Sequence, residues 1–294
     1  MMRSLGIVSL ESSHVDQFCQ ALNLPEHEWH LPSARVVAVC PQDNAPERVT
    51  EVCRKFGVET VVDSPEALVP LVDAALILGR DGARHCAQAL PFLGAGKPCF
   101  VDKPFAHSLE DAALMIETAR ANSAPLMTGS SIRYAVELEE RAEQIKALGE
   151  LRHCSLIGPG ELFFYGCHLT ELLMTLMGPG VEVVSDLREQ GIDLISASYG
   201  DGRSATLQLL RGVSVFFEAS LVGTQGTLAF PIHDPRYYLR TMQAFTGMLE
   251  TDVEPVPEAE MLEAVRLLVA ADRSAQQGGR PVRLAEVYAW KRPF

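Results

Sequence analysis

Over its first 125 residues the chain alternates short apolar runs with amphipathic stretches, and few architectures accept that rhythm. The runs are "LGIVSL", "ARVVAVC", "ETVVD", "AALILG", "KPCFVD" and "APLMTG". Helix candidates lie between them at 15–22, 46–56, 64–69, 83–94 and 108–122, the last opened by Ser108 as N-cap with Asp111 three residues on. Strand, helix, strand in repetition is the pattern of a parallel sheet, which binds ligands at the carboxyl ends of its strands. Residues 1–125 are therefore expected to form a doubly wound α/β domain.

The texture changes after "TGSSIRYA". A charged helix at 136–148 leads through Gly149 into longer strand candidates, "LRHCSLIG", "DLISASYG", "SATLQLLRG" and "VSVFFEASLVGTQGTLAF", spaced as in an antiparallel sheet. A helix at 167–177 interrupts them. An acidic, loop-rich segment follows at 250–257, and an amphipathic helix at 258–276 precedes "GGRPVRL". Residues 126–294 are expected to be a second domain of α+β type.

A chain of 294 residues, 47% of them hydrophobic, has enough apolar material for two cores. Its net charge of -13 argues against nucleic acid or an anionic membrane as partner, and a small neutral substrate suits it better. The seven cysteines are scattered, with no C-x-x-C pair, as expected of reduced thiols in the cytoplasm. No run has the length of a membrane span.

Two stretches carry candidate chemistry. In "KPCFVDKPF", Lys103 follows an apolar strand and precedes Pro104, so its amine belongs at a strand's carboxyl end, where it can hold a substrate hydroxyl or act as a base. The alternative is a lysine in a surface salt bridge. In "GELFFYGCHLTELLMTLMGPG", His168 sits in the first turn of a helix with Glu171 at i+3 on the same face. This is either a proton-transfer histidine oriented by a carboxylate or a buried structural pair. Two residues at that spacing are too few for a closed metal shell, and no metal is expected. The loop holding Arg80, Asp81, Arg84 and His85 either lines the strand-end crevice or simply caps a helix.

At these stretches the sequence resembles the glucose-fructose oxidoreductase, inositol dehydrogenase and rhizopine-catabolism family, Gfo/Idh/MocA. "AGKPCFVDKP" is similar to the family's A-G-K-x-V-x-x-E-K-P, and "GCHLTELLMTLMG" to its G-x-H-x-x-D helix. "GTQGTLAF" and "RLLVAADRSAQQGGRPVRL" resemble a turn and the closing segment of the second domain, so the similarity runs over nearly the whole chain. The resemblance implies a Rossmann domain followed by a large, open, mostly antiparallel sheet. It also implies hydride transfer between NAD or NADP and a sugar, polyol or related alcohol. By the family pattern Lys103 is the catalytic lysine and His168 the acid or base, with Tyr165 and Glu171 on the substrate side. Asp102 stands where the family has Glu, Glu171 where it has Asp, and Phe164 where an Asp often precedes the His by four residues. The family also implies a homodimer or larger homo-oligomer packed through the open sheet; because an uncovered apolar sheet face is costly in water, the face carrying Val215, Phe217 and Ala219 or their alternates is expected against the partner.

The first strand turn departs most. A dinucleotide fold usually carries G-x-G-x-x-G there, and this chain has "SLESSHV". Ser12 or Ser13 still supplies an N-cap, but the close backbone approach that glycine allows is lost and Glu11 adds a negative charge. The cofactor-binding set is expected to be Ser9, Glu11, Ser12, Ser13, His14, Gly79, Arg80, His85, Asp102 and Lys103. The same departure keeps open an alternative: a non-catalytic ligand-binding or regulatory protein on this fold, with weakened cofactor binding.

Overall fold

The computed structural model describes residues 2–289; Met1 and residues 290–294, the end of the expected second domain, lie outside the described residues. The chain divides into two compact units. Met1–Ala106, Asp111–Gly129 and Tyr238–Pro257 make the first; His107–Glu110, Ser130–Tyr237 and Glu258–Phe294 make the second.

The first unit is a six-stranded parallel sheet built from β1 (Arg3–Val8), β2 (Ala34–Cys40), β3 (Thr60–Val61), β4 (Ala74–Ile77), β5 (Cys99–Asp102) and β6 (Leu126–Gly129). Its order is β3-β2-β1-β4-β5-β6, the doubly wound order in which the chain reverses beside β1. β4, β5 and β6 are buried at every residue, which explains their mostly apolar sequences, Asp102 and Thr128 being the polar exceptions. Between the strands run α1 (Ser13–Asn23), α2 (Pro46–Phe56), α3 (Pro65–Leu68), α4 (Gly82–Gly94) and α5 (Leu109–Ala121). Phe18, Phe56, Phe92 and Phe100 are fully buried, each worth roughly 1.5–3 kcal/mol of transfer free energy.

The second unit contains α6 (Val136–Glu140), α7 (Ala142–Ala147), β7 (Leu151–Pro159), α8 (Cys167–Met177), β8 (Val181–Glu189), β9 (Ile192–Tyr199), β10 (Ser204–Leu210), β11 (Phe217–Gly223) and β12 (Gly226–Ile232). After α9 (Arg236–Thr251) come α10 (Glu258–Gln276) and β13 (Val282–Arg283). The sheet order is β12-β11-β7-β10-β9-β8-β13, antiparallel except for the β7–β10 pair.

The structure corrects several expectations. The helix at 136–148 is two helices, because Arg141 leaves the helical region at φ -105°, ψ 7°. The run beginning "VSVFF" is a hairpin of β11 and β12 around Thr224–Gln225. Gly223 is required there, since a Cβ would lie 2.2 Å from the Leu148 carbonyl oxygen. β8 and α9 were not anticipated; α9 takes in Glu250 and Thr251, and the rest of the acidic segment, 252–257, is loop. From Tyr238 onward α9 packs in the first unit: Phe245 lies 6.1 Å from Phe100 and Tyr238 lies 5.1 Å from His14, ring centre to ring centre. On the second sheet Phe217 and Ala219 are buried within the unit. The open face carries their alternates, with Ser220 in register with Ser155.

Candidate active site

At the end of β1 the serine that replaces the first glycine adopts glycine's backbone. Ser9 has φ +69°, a left-handed conformation that costs a non-glycine residue about 1 kcal/mol or more. Two hydrogen bonds hold it there: its N–H donates to Cys40 O at 2.9 Å, and its Oγ accepts from Gln88 Nε2 at 3.1 Å. Glu11 is exposed and its carboxylate is engaged on both sides. Oε1 accepts the Arg80 N–H at 2.9 Å, and Oε2 accepts Asn44 Nδ2 at 3.4 Å. Ser12 caps α1, its Oγ accepting the His14 N–H at 3.2 Å, and Ser13 is the first helical residue. The turn thus fits a dinucleotide in its backbone path and in the helix N-terminus, whose orphan N–H groups favour phosphate, and departs from it in the Glu11 carboxylate.

The turn after β4 is fixed from inside. His85, fully buried, donates Nε2–H to Gly79 O at 3.0 Å, and burial holds its pKa below the ordinary histidine value, so it stays neutral. A Cβ on Gly79 would press on that ring at 3.3 Å, so glycine lets the strand end sit against it. Arg80 is exposed, while Arg84 reaches the loop after β2 and pairs with Asp43 at 2.7 Å. At the end of β5, Asp102 is wholly buried and its Oδ2 lies 2.7 Å from His14 Nδ1. Burial pushes the Asp102 carboxyl up, but His14 and Lys103 outweigh it and leave the pKa below its ordinary value. Lys103 follows, 6% exposed, joined to Pro104 by a cis peptide bond.

In the second unit α8 presents His168 from its first turn, and a π-helical turn, Leu162–Gly166, delivers Tyr165 beside it, ring centres 5.8 Å apart. Phe217 packs on the other side at 5.1 Å. Ser130 Oγ lies 2.5 Å from His168 Nδ1. Glu171, one turn on, faces Arg133 Nε at 3.4 Å, and Arg133 also bonds Glu260. Burial and the second carboxylate push the Glu171 pKa up to about 7, against the pull of Arg133.

The structure therefore groups Ser9, Glu11, Ser12, Ser13, His14, Gly79, Arg80, His85, Asp102 and Lys103 in the first unit, and Tyr165, His168 and Glu171 in the second. Within these sets His85 and Asp102 turn inward, onto Gly79 and His14 respectively, and Glu171 turns onto Arg133. Sequence reasoning missed Asn44, Gln88, Ser130, Arg133 and Glu260. Only "SSIRY", following a glycine-ended strand, offered a signal for two of them.

A family model described as an oxidoreductase family with an NAD-binding Rossmann fold matches residues 12–130. The D-glucoside 3-dehydrogenase of Escherichia coli strain K12 is 24% identical over 317 residues, covering 85% of this chain and 90% of that protein. Among solved structures, scyllo-inositol dehydrogenase from Lactobacillus casei with bound NAD(H) and scyllo-inositol superposes with a TM-score of 0.81 at 16% identity, covering 97% of this chain and 100% of the other. The myo-inositol 2-dehydrogenase from Lactobacillus plantarum gives 0.83 at 15% identity, with coverages of 96% and 99%. At such identities the structural likeness establishes the fold.

Proposed function

We propose that the chain is a member of the Gfo/Idh/MocA oxidoreductase family, whose model matches residues 12–130, and that it is an NAD(P)-dependent dehydrogenase acting on a secondary alcohol of a sugar, polyol or related compound. The observation that carries this reading is Lys103, placed directly at the carboxyl end of β5 in a sheet of Rossmann order, with its neighbour Asp102 buried against His14.

The bound nicotinamide supplies the hydride acceptor for oxidation and the donor for reduction. Ser9, the N-terminus of α1, Gly79 and Arg80 would hold the dinucleotide. The chain's own work is on the proton. When the alcohol carbon gives up hydride, its oxygen must release a proton, and Lys103 and His168 share that task, Lys103 by donating to the substrate oxygen and His168 by acid–base transfer. Tyr165 orients the sugar-like substrate beside His168. The enzyme is cytoplasmic and forms a homodimer or larger homo-oligomer through the open face of the second sheet. Among the described residues no helix is long and apolar enough to cross a membrane.

The non-catalytic alternative has one observation in its favour, the Glu11 carboxylate at the pyrophosphate turn. Titration with NADH and NADPH, followed by oxidation assays with inositols and D-glucosides under either oxidised cofactor, decides between them. Enhanced nicotinamide fluorescence and turnover support the enzyme; binding of neither cofactor removes it.

A further inference from the structure

We propose that Ser130 is a positioning residue that fixes the tautomer of His168, holding the ring proton on Nε2. The inference rests on the dehydrogenase reading only in what that proton is for. Its geometry belongs to one unit.

Ser130 ends the link from β6 and is fully buried. Its Oγ has two partners: the Ile132 N–H, which it accepts at 3.3 Å, and His168 Nδ1 at 2.5 Å. A backbone N–H can only donate, so one Oγ lone pair is taken and the hydroxyl hydrogen still needs an acceptor. Nδ1 is the acceptor within reach. If Nδ1 carried the proton instead, the serine hydroxyl would be a buried donor with nothing to donate to, a state that native interiors avoid. The neutral imidazole therefore accepts at Nδ1 and keeps its hydrogen on Nε2.

The consequence is directional. A histidine with Nε2–H is a hydrogen-bond donor to a carbonyl or alcohol oxygen, which suits it to polarise the carbonyl during reduction. In oxidation Nε2 can accept the substrate proton only in the other tautomer, with the ring hydrogen on Nδ1 donating to Ser130 Oγ and the serine hydroxyl rotated away. Phe164, one turn before His168, cannot provide the carboxylate that would orient the ring from its own helix. A hydroxyl from the start of the 3-10 turn Ser131–Tyr134 does so instead.

Nitrogen NMR of protein labelled with 15N-histidine, with His168→Gln to assign the signal, reads the tautomer without substrate. At a pH where the ring is neutral, the pyridine-like signal is expected on Nδ1, and Ser130→Ala should mix the two tautomers while Ser130→Thr, which keeps the hydroxyl, restores one. With substrate, Ser130→Ala should lower kcat roughly tenfold, the worth of one buried hydrogen bond, with KM little changed. A proton on Nδ1 in the wild-type protein overturns the assignment, as does an unchanged tautomer in Ser130→Ala. Because the spectrum needs no turnover, an inactive wild-type protein counts against the dehydrogenase reading and not against this one.

Discussion

His14 Nδ1 and Asp102 Oδ2 lie 2.7 Å apart with both side chains buried, so the first helix and the end of β5 are joined by a buried side-chain contact inside the Rossmann unit. Removing one member of such a pair leaves the other buried alone. His14→Ala is expected to cost about 3 kcal/mol of stability, and Asp102→Asn in that background should recover part of it. Denaturant midpoints of the two single variants and the double variant measure the coupling. Because the folded Asp102 pKa is lowered, its contribution is present above the ordinary aspartate value and is lost as pH falls through the folded one.

Glu171 gives the opposite pH trend. One guanidinium, Arg133, faces two carboxylates, and the Glu171 pKa rises to about 7 from 4.5. The folded protein then holds a proton that the unfolded chain has released, so this group's contribution is complete below about pH 4.5 and lost as pH rises through 7. Glu171→Gln should leave stability at pH 5 nearly unchanged and raise it by on the order of 2 kcal/mol at pH 8. Urea unfolding at the two pH values checks the difference. Asp186, raised to about 6, acts alike in both proteins and cancels.

Glu11→Gly should tighten NAD(H) or NADP(H) by about tenfold. A carboxylate and a phosphate about 6 Å apart repel by between roughly 1 and 3 kcal/mol for effective dielectrics of about 80 to 20, and Glu11 is exposed. Glu11→Gln separates charge from architecture, since its amide oxygen can still accept the Arg80 N–H. Calorimetric titration giving tighter binding for glycine but not glutamine would assign the effect to backbone approach. Unchanged binding in both would show that this turn lies away from the phosphates.

If Lys103 and His168 serve one proton transfer, each loss is partly hidden by the other. Lys103→Met and His168→Asn are each expected to reduce turnover by about 10² to 10⁴. The double variant should be little worse than the poorer single one. Fully multiplicative losses in single-turnover assays would separate the two roles.

The open face of the second sheet presents Ser155, Leu187, Leu194, Ser196, Thr206 and Gln208 from strands whose other face packs against α8 and α10. Leu187 is 56% and Leu194 39% exposed. Sedimentation should find a homo-oligomer, and Thr206→Arg should dissociate it; a monomeric wild type at micromolar concentration contradicts the assembly.

The parallel sheet could be read because strands buried on both faces are written almost wholly in apolar letters, as in "AALI" and the "CFV" that precedes Asp102. β8 escaped notice because its "SDLRE" looks solvated. In fact Asp186 is fully buried, bonded to Arg188, which also reaches Asp193 and Asp272. α9 escaped because "RYYLRTMQAFTGMLET" mixes Tyr, Thr and Gly into its apolar spacing. In the site, Lys103 and His168 stood out through their motifs. Ser130 did not, since a hydroxyl bonded to a residue 38 positions away leaves no local spacing to detect.

The return of α9 to the first unit has a consequence for synthesis. Phe100 and Phe18 emerge from the ribosome with the six-stranded sheet, but the rings that complete their packing, Phe245 and Tyr238, are translated only after β7 to β12 of the second sheet. The nucleotide fold is thus left with an unsealed apolar seam until α9 has been made, and a gene cut after β6 encodes a sheet without its closing helix.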